Sequence, residues 1–214
     1  MKCYTYNMFK RKCKITFIRH GSTIYSDENR LNDSLDYPPL NELGKIEAQN
    51  ISQWVKKRSP KVDKIYSSAD LKSIQTAKYI AKEYNMEFEI VENLQSRKAG
   101  LWNKLTFEQI EVKYPDILEN YHNDNVNYWA EGGETTAQLA NRIKNQINEL
   151  ISLNKGKRII IVTNGDTIQT AISTAVGIPL EHMGRIYIPC GSATQISYYS
   201  DWSSLVYSGH VPIN

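Results

Sequence analysis

The sequence places an arginine and a histidine side by side where an apolar run ends. Residues 15–18 are rich in β-branched side chains, as in a buried strand, and Arg19, His20 and Gly21 follow at once. Arg19 offers a planar fork of donors suited to phosphate or carboxylate, and His20 can serve as nucleophile, base or metal ligand. Gly21 lets the backbone turn sharply or approach a ligand closely. The tripeptide therefore indicates an anion site with a reactive imidazole.

A second apolar run also ends in polar residues. Residues 158–163 read R-I-I-I-V-T, which predicts a central strand in a sheet covered on both faces. Asn164, Gly165 and Asp166 follow, and then a helix to about residue 176. An open sheet flanked by helices binds ligands at the carboxyl ends of its strands. We therefore expect Arg19, His20 and Asn164 to converge on one pocket.

The remaining patterns alternate strands with helices, which is the arrangement of a parallel sheet. One predicted helix begins near Asn41, and a later one has four apolar residues on one face. We predict the first of these helices with Leu43, Ile46, Ile51 and Trp54 on its apolar side, and the later one with Leu139, Ile143, Ile147 and Leu150 inward. A further helix is predicted over 69–84, with Leu71, Ile74, Ala77, Tyr79 and Ile80 at mostly helical spacing. The predicted strands cover 62–68 and 87–91 and lie near 185–188 and 194–199.

The composition bounds the class of protein. A chain of 214 residues is long enough for one well-packed domain, and 26 lysines and arginines against 23 acidic residues argue against a nucleic-acid binder. Three cysteines without metal-ligand spacing favour a reducing compartment, and we expect a cytoplasmic protein. The basic segment 1–13 lacks the apolar core of a signal peptide, and no run is long enough to span a membrane. We expect a basic arm over 1–13 and a single domain over 14–214.

From Ile15 to about His210 the chain resembles the histidine phosphatase superfamily, which includes the cofactor-dependent phosphoglycerate mutases. The resemblance rests on R-H-G at 19–21, the segment S-S-A-D-L-K-S-I-Q-T-A, and the polar turn after the central strand. It implies a single-domain α/β fold, phosphoglycerate mutase-like: a three-layer α/β/α sandwich with a mostly parallel central sheet flanked by helices. It also implies that His20 attacks phosphorus and that Arg19 holds the oxyanion. Neither a cofactor nor a metal is expected.

Other positions depart from the family pattern. Lys72 stands where a second arginine is expected, Ser96 where the acidic glutamate belongs, and Asn164 where a second histidine belongs. Lysine keeps the charge but loses the bidentate geometry, serine is no acid near neutral pH, and Asn164 carries no charge, although it can donate a hydrogen bond. Ser26 replaces a common asparagine, and Gln169 an arginine. We expect Arg19, Lys72, Asn164, Gly165, Thr23, Ser26 and Ser96 to bind substrate phosphate, with Asp166, Glu131 or Glu134 as a substitute acid.

These departures leave three hypotheses. The chain is a divergent enzyme that transfers a phosphoryl group through His20, a family member with non-phosphate chemistry in the same anion pocket, or an inactive protein that binds an anion or a partner. The expected ligand is a small phosphorylated or carboxylated molecule, and a homo-oligomer stays open. We expect selectivity to be encoded in residues 93–130, an aromatic-rich insertion typical of a lid or pocket wall.

Overall fold

The fold is built on one mixed β-sheet, seen in a computed structural model that describes residues 12–32 and 38–212. The strands of the described residues are β1 (Cys13–Arg19), β2 (Lys64–Ser67), β3 (Glu89–Ile90), β4 (Arg158–Thr163), β5 (Ala193–Tyr198) and β6 (Ser203–His210). Their order is β3-β2-β4-β1-β5-β6. The first four strands are parallel to one another, and β5 is antiparallel to both of its neighbours, β1 and β6. The predicted mostly parallel sheet is confirmed.

Helices cover both faces of the sheet. Alternate residues of β1 and β4 point to opposite faces, so that Phe17 and Ile161 pack on one side while Ile18 and Val162 pack on the other. The helices of the described residues are α1 (Ile24–Asp27), α2 (Glu42–Arg58), α3 (Leu71–Tyr84), α4 (Phe107–Lys113), α5 (Pro115–Asn123), α6 (Thr136–Leu153) and α7 (Gly165–Val176). Helices α6 and α7 contribute to the first cluster, and α2 and α3 to the second. The predicted three-layer sandwich is therefore confirmed.

The end of the sheet corrects one prediction. Residues 185–188 do not form a strand, because a 3-10 helix occupies Leu180–Arg185 and the chain then runs irregularly to β5. The sixth strand is β6, which follows the bend after Tyr198 and pairs with β5 along the edge of the sheet. Its mixed, half-exposed residues have weaker apolar alternation than a buried strand, which is why the sequence pattern did not reveal it.

Helix α2 corrects a second prediction. Leu43 and Ile46 are more than half exposed, although both were expected on the apolar side. The buried face instead carries small residues and only two larger apolar ones, in the set Gly44, Ala48, Ile51, Ser52 and Val55. Small residues are needed there because the helix backbone approaches the polar end of β1 closely. Helix α6, by contrast, buries the four residues that its spacing predicted.

Two further predictions concern the amino-terminal segment and the absence of a membrane-spanning run. The predicted arm falls largely on residues 1–11, which lie outside the described residues, and β1 begins at Cys13. Within residues 12–32 and 38–212, no helix combines the length and the apolar character needed to cross a bilayer.

The turn after β1 is locked against α2 by two glycines. A Cβ on Gly21 would lie 2.2 Å from the Gly44 carbonyl oxygen, and a Cβ on Gly44 would lie 2.1 Å from the Ser22 carbonyl oxygen. In addition, the Ser22 N–H donates to Glu47 Oε2 at 2.6 Å. Neither backbone can retreat easily, so the position of His20 depends on this contact.

Replacement of Gly44 tests this contact. Gly44→Ala should lower the free energy of unfolding by about 1–3 kcal/mol or more, because the added methyl group overlaps backbone atoms that cannot move aside. Urea denaturation measures the change. Gly184→Ala is the control, since a Cβ at Gly184 meets nothing within 4 Å and should change stability by less than about 0.5 kcal/mol. Equal changes in the free energy of unfolding for the two variants would contradict the proposed close contact between Gly21 and Gly44.

Candidate active site

The backbone around His20 is fixed by neighbouring strands. The His20 N–H donates to the carbonyl of Thr163 at the end of β4, at 3.1 Å, and the Gly191 N–H donates to the His20 carbonyl at 3.0 Å. The side chain is almost fully buried, with 4% of its surface exposed. The imidazole therefore sits on a rigid base at the carboxyl end of the sheet.

The tautomer of His20 follows from its own hydrogen bond. Nδ1 lies 2.8 Å from the Gly21 carbonyl oxygen, and a carbonyl can only accept, so Nδ1 carries the hydrogen. Nε2 is then the nitrogen with the lone pair. Burial first, and then the charges of Lys72 and Arg19, hold the pKa of His20 well below its usual 6.5. A neutral imidazole at pH 7 can act as a nucleophile or as a base.

Two cations flank the imidazole, the half-buried Arg19 and the buried Lys72. The Arg19 guanidinium packs on Gly165, where a Cβ would lie 3.3 Å from Nε, and Nη1 donates to the Ile188 carbonyl. Lys72 is only 2% exposed, and its Nζ donates to Asn32 Oδ1 at 3.1 Å. Burial lowers the pKa of Lys72, while Asp70 and Asp166 act in the opposite direction. Arg19 Nε is buried and has no hydrogen-bond partner in the described part of the chain.

These side chains open onto a cavity of about 630 Å³. The cavity is lined by the predicted nucleophile His20 and by one of the three predicted acids, Asp166. The predicted phosphate-binding residues also line it: Arg19, Thr23, Ser26, Lys72, Ser96, Asn164 and Gly165. The outer wall is partly aromatic, with Phe107, Tyr121 and Trp129 from the insertion over 93–130. Behind them, Trp102 is fully buried in a small separate core. The insertion thus forms one wall of the cavity.

Glu131 and Glu134 do not line the cavity. Glu131 is exposed, and Glu134 makes a bidentate ion pair with Arg142, with its oxygens at 2.8 and 2.6 Å. Asp166 does line the cavity, but its two oxygens accept backbone N–H groups from Arg97 at 2.8 Å and Thr167 at 2.7 Å. Both oxygens of Asp166 therefore serve as acceptors for protein donors.

The three hydroxyl residues of the predicted phosphate-binding set form hydrogen bonds within the protein. Thr23 is the N-cap of α1, where its hydroxyl accepts from the Ser26 N–H, and the Ser26 hydroxyl bonds back to the Thr23 backbone. This capping box holds the turn that follows Arg19-His20-Gly21. Ser96 is 7% exposed and donates to Asp70 Oδ1 at 3.4 Å. None of the three hydroxyls is without a protein partner.

Asp70 and Arg97 belong to the site and were missed in the sequence. Asp70 precedes α3, where aspartate is a common helix cap, so nothing in the pattern set it apart. It makes no cap hydrogen bond, and its carboxylate instead meets polar side chains beneath the cavity. Arg97 lines the cavity, where its guanidinium lies 4.3 Å from the centre of the Trp129 ring and Nη2 donates to Thr136 at 3.1 Å.

Asn164 is oriented differently from the expectation. Its Nδ2 donates to Asp70 Oδ2 at 2.7 Å, and its Oδ1 is buried. The expected hydrogen-bond donor for an oxyanion is therefore turned toward the protein. Asn164 also raises the pKa of His20, as an acceptor beside the ring does.

Removal of the Lys72 charge tests the electrostatic coupling between Lys72 and His20. Lys72→Gln should raise the pKa of His20, because a positive charge that disfavours the imidazolium is gone. Protein NMR with labelled histidine follows the titration. Lys78→Gln, an exposed lysine on the same helix, is the matched control and should leave the His20 titration unchanged. An unaltered His20 pKa in Lys72→Gln would show that the two groups are not coupled.

Comparisons with known proteins establish the family to which the chain belongs. The family model for the histidine phosphatase superfamily (branch 1) matches residues 15–209. Phosphoserine phosphatase 1 of Hydrogenobacter thermophilus is 25% identical over 167 residues, 78% of either chain, and phosphoglycerate mutase-like protein 4 of Arabidopsis thaliana is 26% identical over 164 residues, 76% of this chain and 70% of that one. A mycobacterial glucosyl-3-phosphoglycerate phosphatase superposes with a TM-score of 0.81 at 23% identity, over 92% of this chain and 98% of that one. The chain therefore belongs to the histidine phosphatase superfamily.

Proposed function

We propose that this protein transfers a phosphoryl group from a small phosphorylated metabolite through a phosphohistidine at His20. The observation that carries the proposal is the hydrogen bond from Nδ1 to the Gly21 carbonyl, which leaves Nε2 as the lone-pair nitrogen of a neutral imidazole lining the cavity. Nε2 attacks phosphorus, the N–P bond forms, and the bond from phosphorus to the leaving oxygen breaks. Water then attacks the phosphohistidine, which releases phosphate and returns the imidazole.

The two cations beside His20 support this step. A phosphoryl group in transfer carries negative charge on its peripheral oxygens, and preorganised cations stabilise that charge. Arg19 offers an unpartnered Nε–H, and Lys72 adds an ammonium from the facing helix α3. Named relatives include a phosphoserine phosphatase and a glucosyl-3-phosphoglycerate phosphatase, and a cavity of about 630 Å³ suits a metabolite of similar size.

The lining of the cavity limits the leaving group. Asp166 and Glu181 are the carboxylates that line it among the described residues. Asp166 is held as an acceptor, and Glu181 is exposed on the 3-10 helix after α7. With no acid poised to protonate the leaving oxygen, we infer that the protein acts on aryl or acyl phosphates, whose leaving groups depart as stable anions.

The nucleophile is tested by trapping the intermediate. Rapid quenching with ³²P-labelled aryl phosphate should give an acid-labile, base-stable label on His20, and His20→Ala should abolish both label and turnover. His122→Ala is the control, because His122 is exposed and lies outside the cavity lining. Turnover that survives in His20→Ala would refute the proposed route.

The missing acid is tested by restoring a carboxyl group. In Ser96→Glu the new side chain would lie beside Asp70, whose negative charge favours the protonated form of the introduced carboxyl group. Hydrolysis of alkyl phosphates should rise by about 10²-fold or more, the usual contribution of a general acid, while aryl phosphates gain much less. Ser96→Gln has the same size without the proton and should show no gain. Equal rates for Ser96→Glu and Ser96→Gln would mean that protonation of the leaving group does not limit the reaction.

A further inference from the structure

A second cavity, the α2–α3 groove, lies where the start of α2 faces α3. Its volume is about 360 Å³, and none of its lining residues lines the cavity beside His20. The lining combines one leucine, one tyrosine, one amide and three lysines: Leu40, Tyr79, Gln75, Lys45, Lys78 and Lys82. The groove is therefore a separate candidate for ligand binding, and the proposed phosphoryl transfer makes no use of it.

The groove offers apolar contact surface. Leu40 is almost fully buried, and the Tyr79 side chain is partly exposed beside it. Pockets of roughly 300–1,000 Å³ are typical of small-molecule sites, and their walls are mostly apolar with a few polar groups that orient the ligand. The volume of the groove falls in this range, so it suits a small molecule with an apolar or aromatic body.

Gln75 presents a hydrogen-bond donor in this groove. Its Oε1 accepts from the Leu40 N–H at 2.8 Å, and because an N–H can only donate, this contact fixes the orientation of the amide. Nε2 makes no hydrogen bond to the described residues, and it is not among their buried polar atoms without partners. Nε2 is thus an accessible donor, held in place by the backbone at Leu40.

The charge of the groove is positive. Lys78 and Lys82 are exposed four residues apart on α3, where like charges repel, and neither lies within ion-pair distance of a carboxylate in residues 12–32 and 38–212. Lys45 pairs with Glu42 at 2.6 Å, on the α2 side. No carboxylate lines the groove among the described residues. An anion bound there would relieve the repulsion between the two lysines of α3.

We propose that the α2–α3 groove binds a small organic anion with an apolar or aromatic body, of which an aryl carboxylate is the simplest example. The body of the ligand packs on Leu40 and Tyr79, while its carboxylate accepts from Gln75 Nε2 and lies near the ammonium groups of Lys78 and Lys82. The lining selects for the combination of charge and apolar surface, because each half of such a ligand has its own partners in the groove. The proposal is independent of the chemistry at His20.

An NMR titration of the full chain with naphthoate tests the proposal. Saturable shifts are expected at the backbone amides of Gln75, Lys78, Tyr79 and Lys82. Acetate, which has the charge without the rings, should bind at least about 10-fold more weakly, because it buries little apolar surface. The neutral naphthamide, which has the rings without the charge, should bind at least about 3-fold more weakly.

Two pairs of lysines separate a local effect from one of net charge. The double variant Lys78→Gln/Lys82→Gln should weaken naphthoate binding by about 3-fold or more. The control, Lys57→Gln/Lys61→Gln, removes the same charge at exposed positions outside the groove and should change the affinity by less than about 1.5-fold. Equal losses in the two double variants would mean that naphthoate responds to net charge alone and would overturn the proposal.

Gln75→Glu tests the donor by itself. The new carboxylate can still accept from the Leu40 N–H, but it places a second acceptor where the amide offered a donor, so naphthoate binding should weaken by about 10-fold. Unchanged affinity in Gln75→Glu, a titration that does not saturate, or shifts confined to the cavity beside His20 would each overturn the proposal. Because His20→Ala should bind naphthoate as the wild type does, failure to trap a phosphohistidine would count against the proposed function alone.

Discussion

The buried Lys72 and the half-buried Arg19 lie beside a neutral imidazole, and the architecture of the site depends on how their charge is balanced. A buried charge is costly unless a counter-charge or hydrogen bonds compensate for it. Asp70 and Asp166 provide negative charge near Lys72, but both carboxylates are committed to protein donors. The cavity therefore keeps an excess of positive charge beside His20, which is the condition for holding an oxyanion.

The strand order explains how distant segments of the chain reach one place. Strands β2, β4 and β1 are consecutive neighbours in the sheet and run parallel, so their carboxyl ends meet at one edge. Asp70 follows β2, Asn164 follows β4, and His20 follows β1. The contacts among these three residues are thus a direct result of strand pairing. The loop over 94–97 adds Ser96 from the side, because the Thr163 hydroxyl and Asp166 both bond to its backbone.

The sequence was sufficient for the parts of the molecule that rest on strong periodicity. Strand β4 has the predicted bounds, and helix α6 buries the predicted residues, since the apolar patterns of both elements are unambiguous. It was insufficient where backbone contact decides the packing, as in α2, whose buried face has small residues that carry no apolar signal. Strand β6 was missed for a related reason, since an edge strand is only half buried.

The site itself was predictable in position but not in orientation. The residues at 19, 20, 72, 96 and 164 line one cavity. Strand-end reasoning predicted this for 19, 20 and 164, and the family resemblance implied it for 72 and 96. Which atom each residue turns to the cavity depends on partners that lie elsewhere in the chain. The Asn164 amide turns its nitrogen to Asp70, which from the sequence alone could not be told from an ordinary helix cap. Glu131 and Glu134 were candidate acids because they lie near predicted loop ends, yet one is exposed and the other is paired with Arg142.

The substitutions at 96 and 164 are coupled through one carboxylate. If the family residues had simply been lost, their replacements would be expected to leave buried polar groups without partners, since nothing would select for matching ones. Ser96 and Asn164 instead both donate to Asp70, which has given up its helix-capping bond to receive them. The remaining polar atom of this group, Asn164 Oδ1, is buried beside the His20 ring, whose pKa the Asn164 side chain raises. A network whose polar groups are matched to one another favours an altered function over a decayed one.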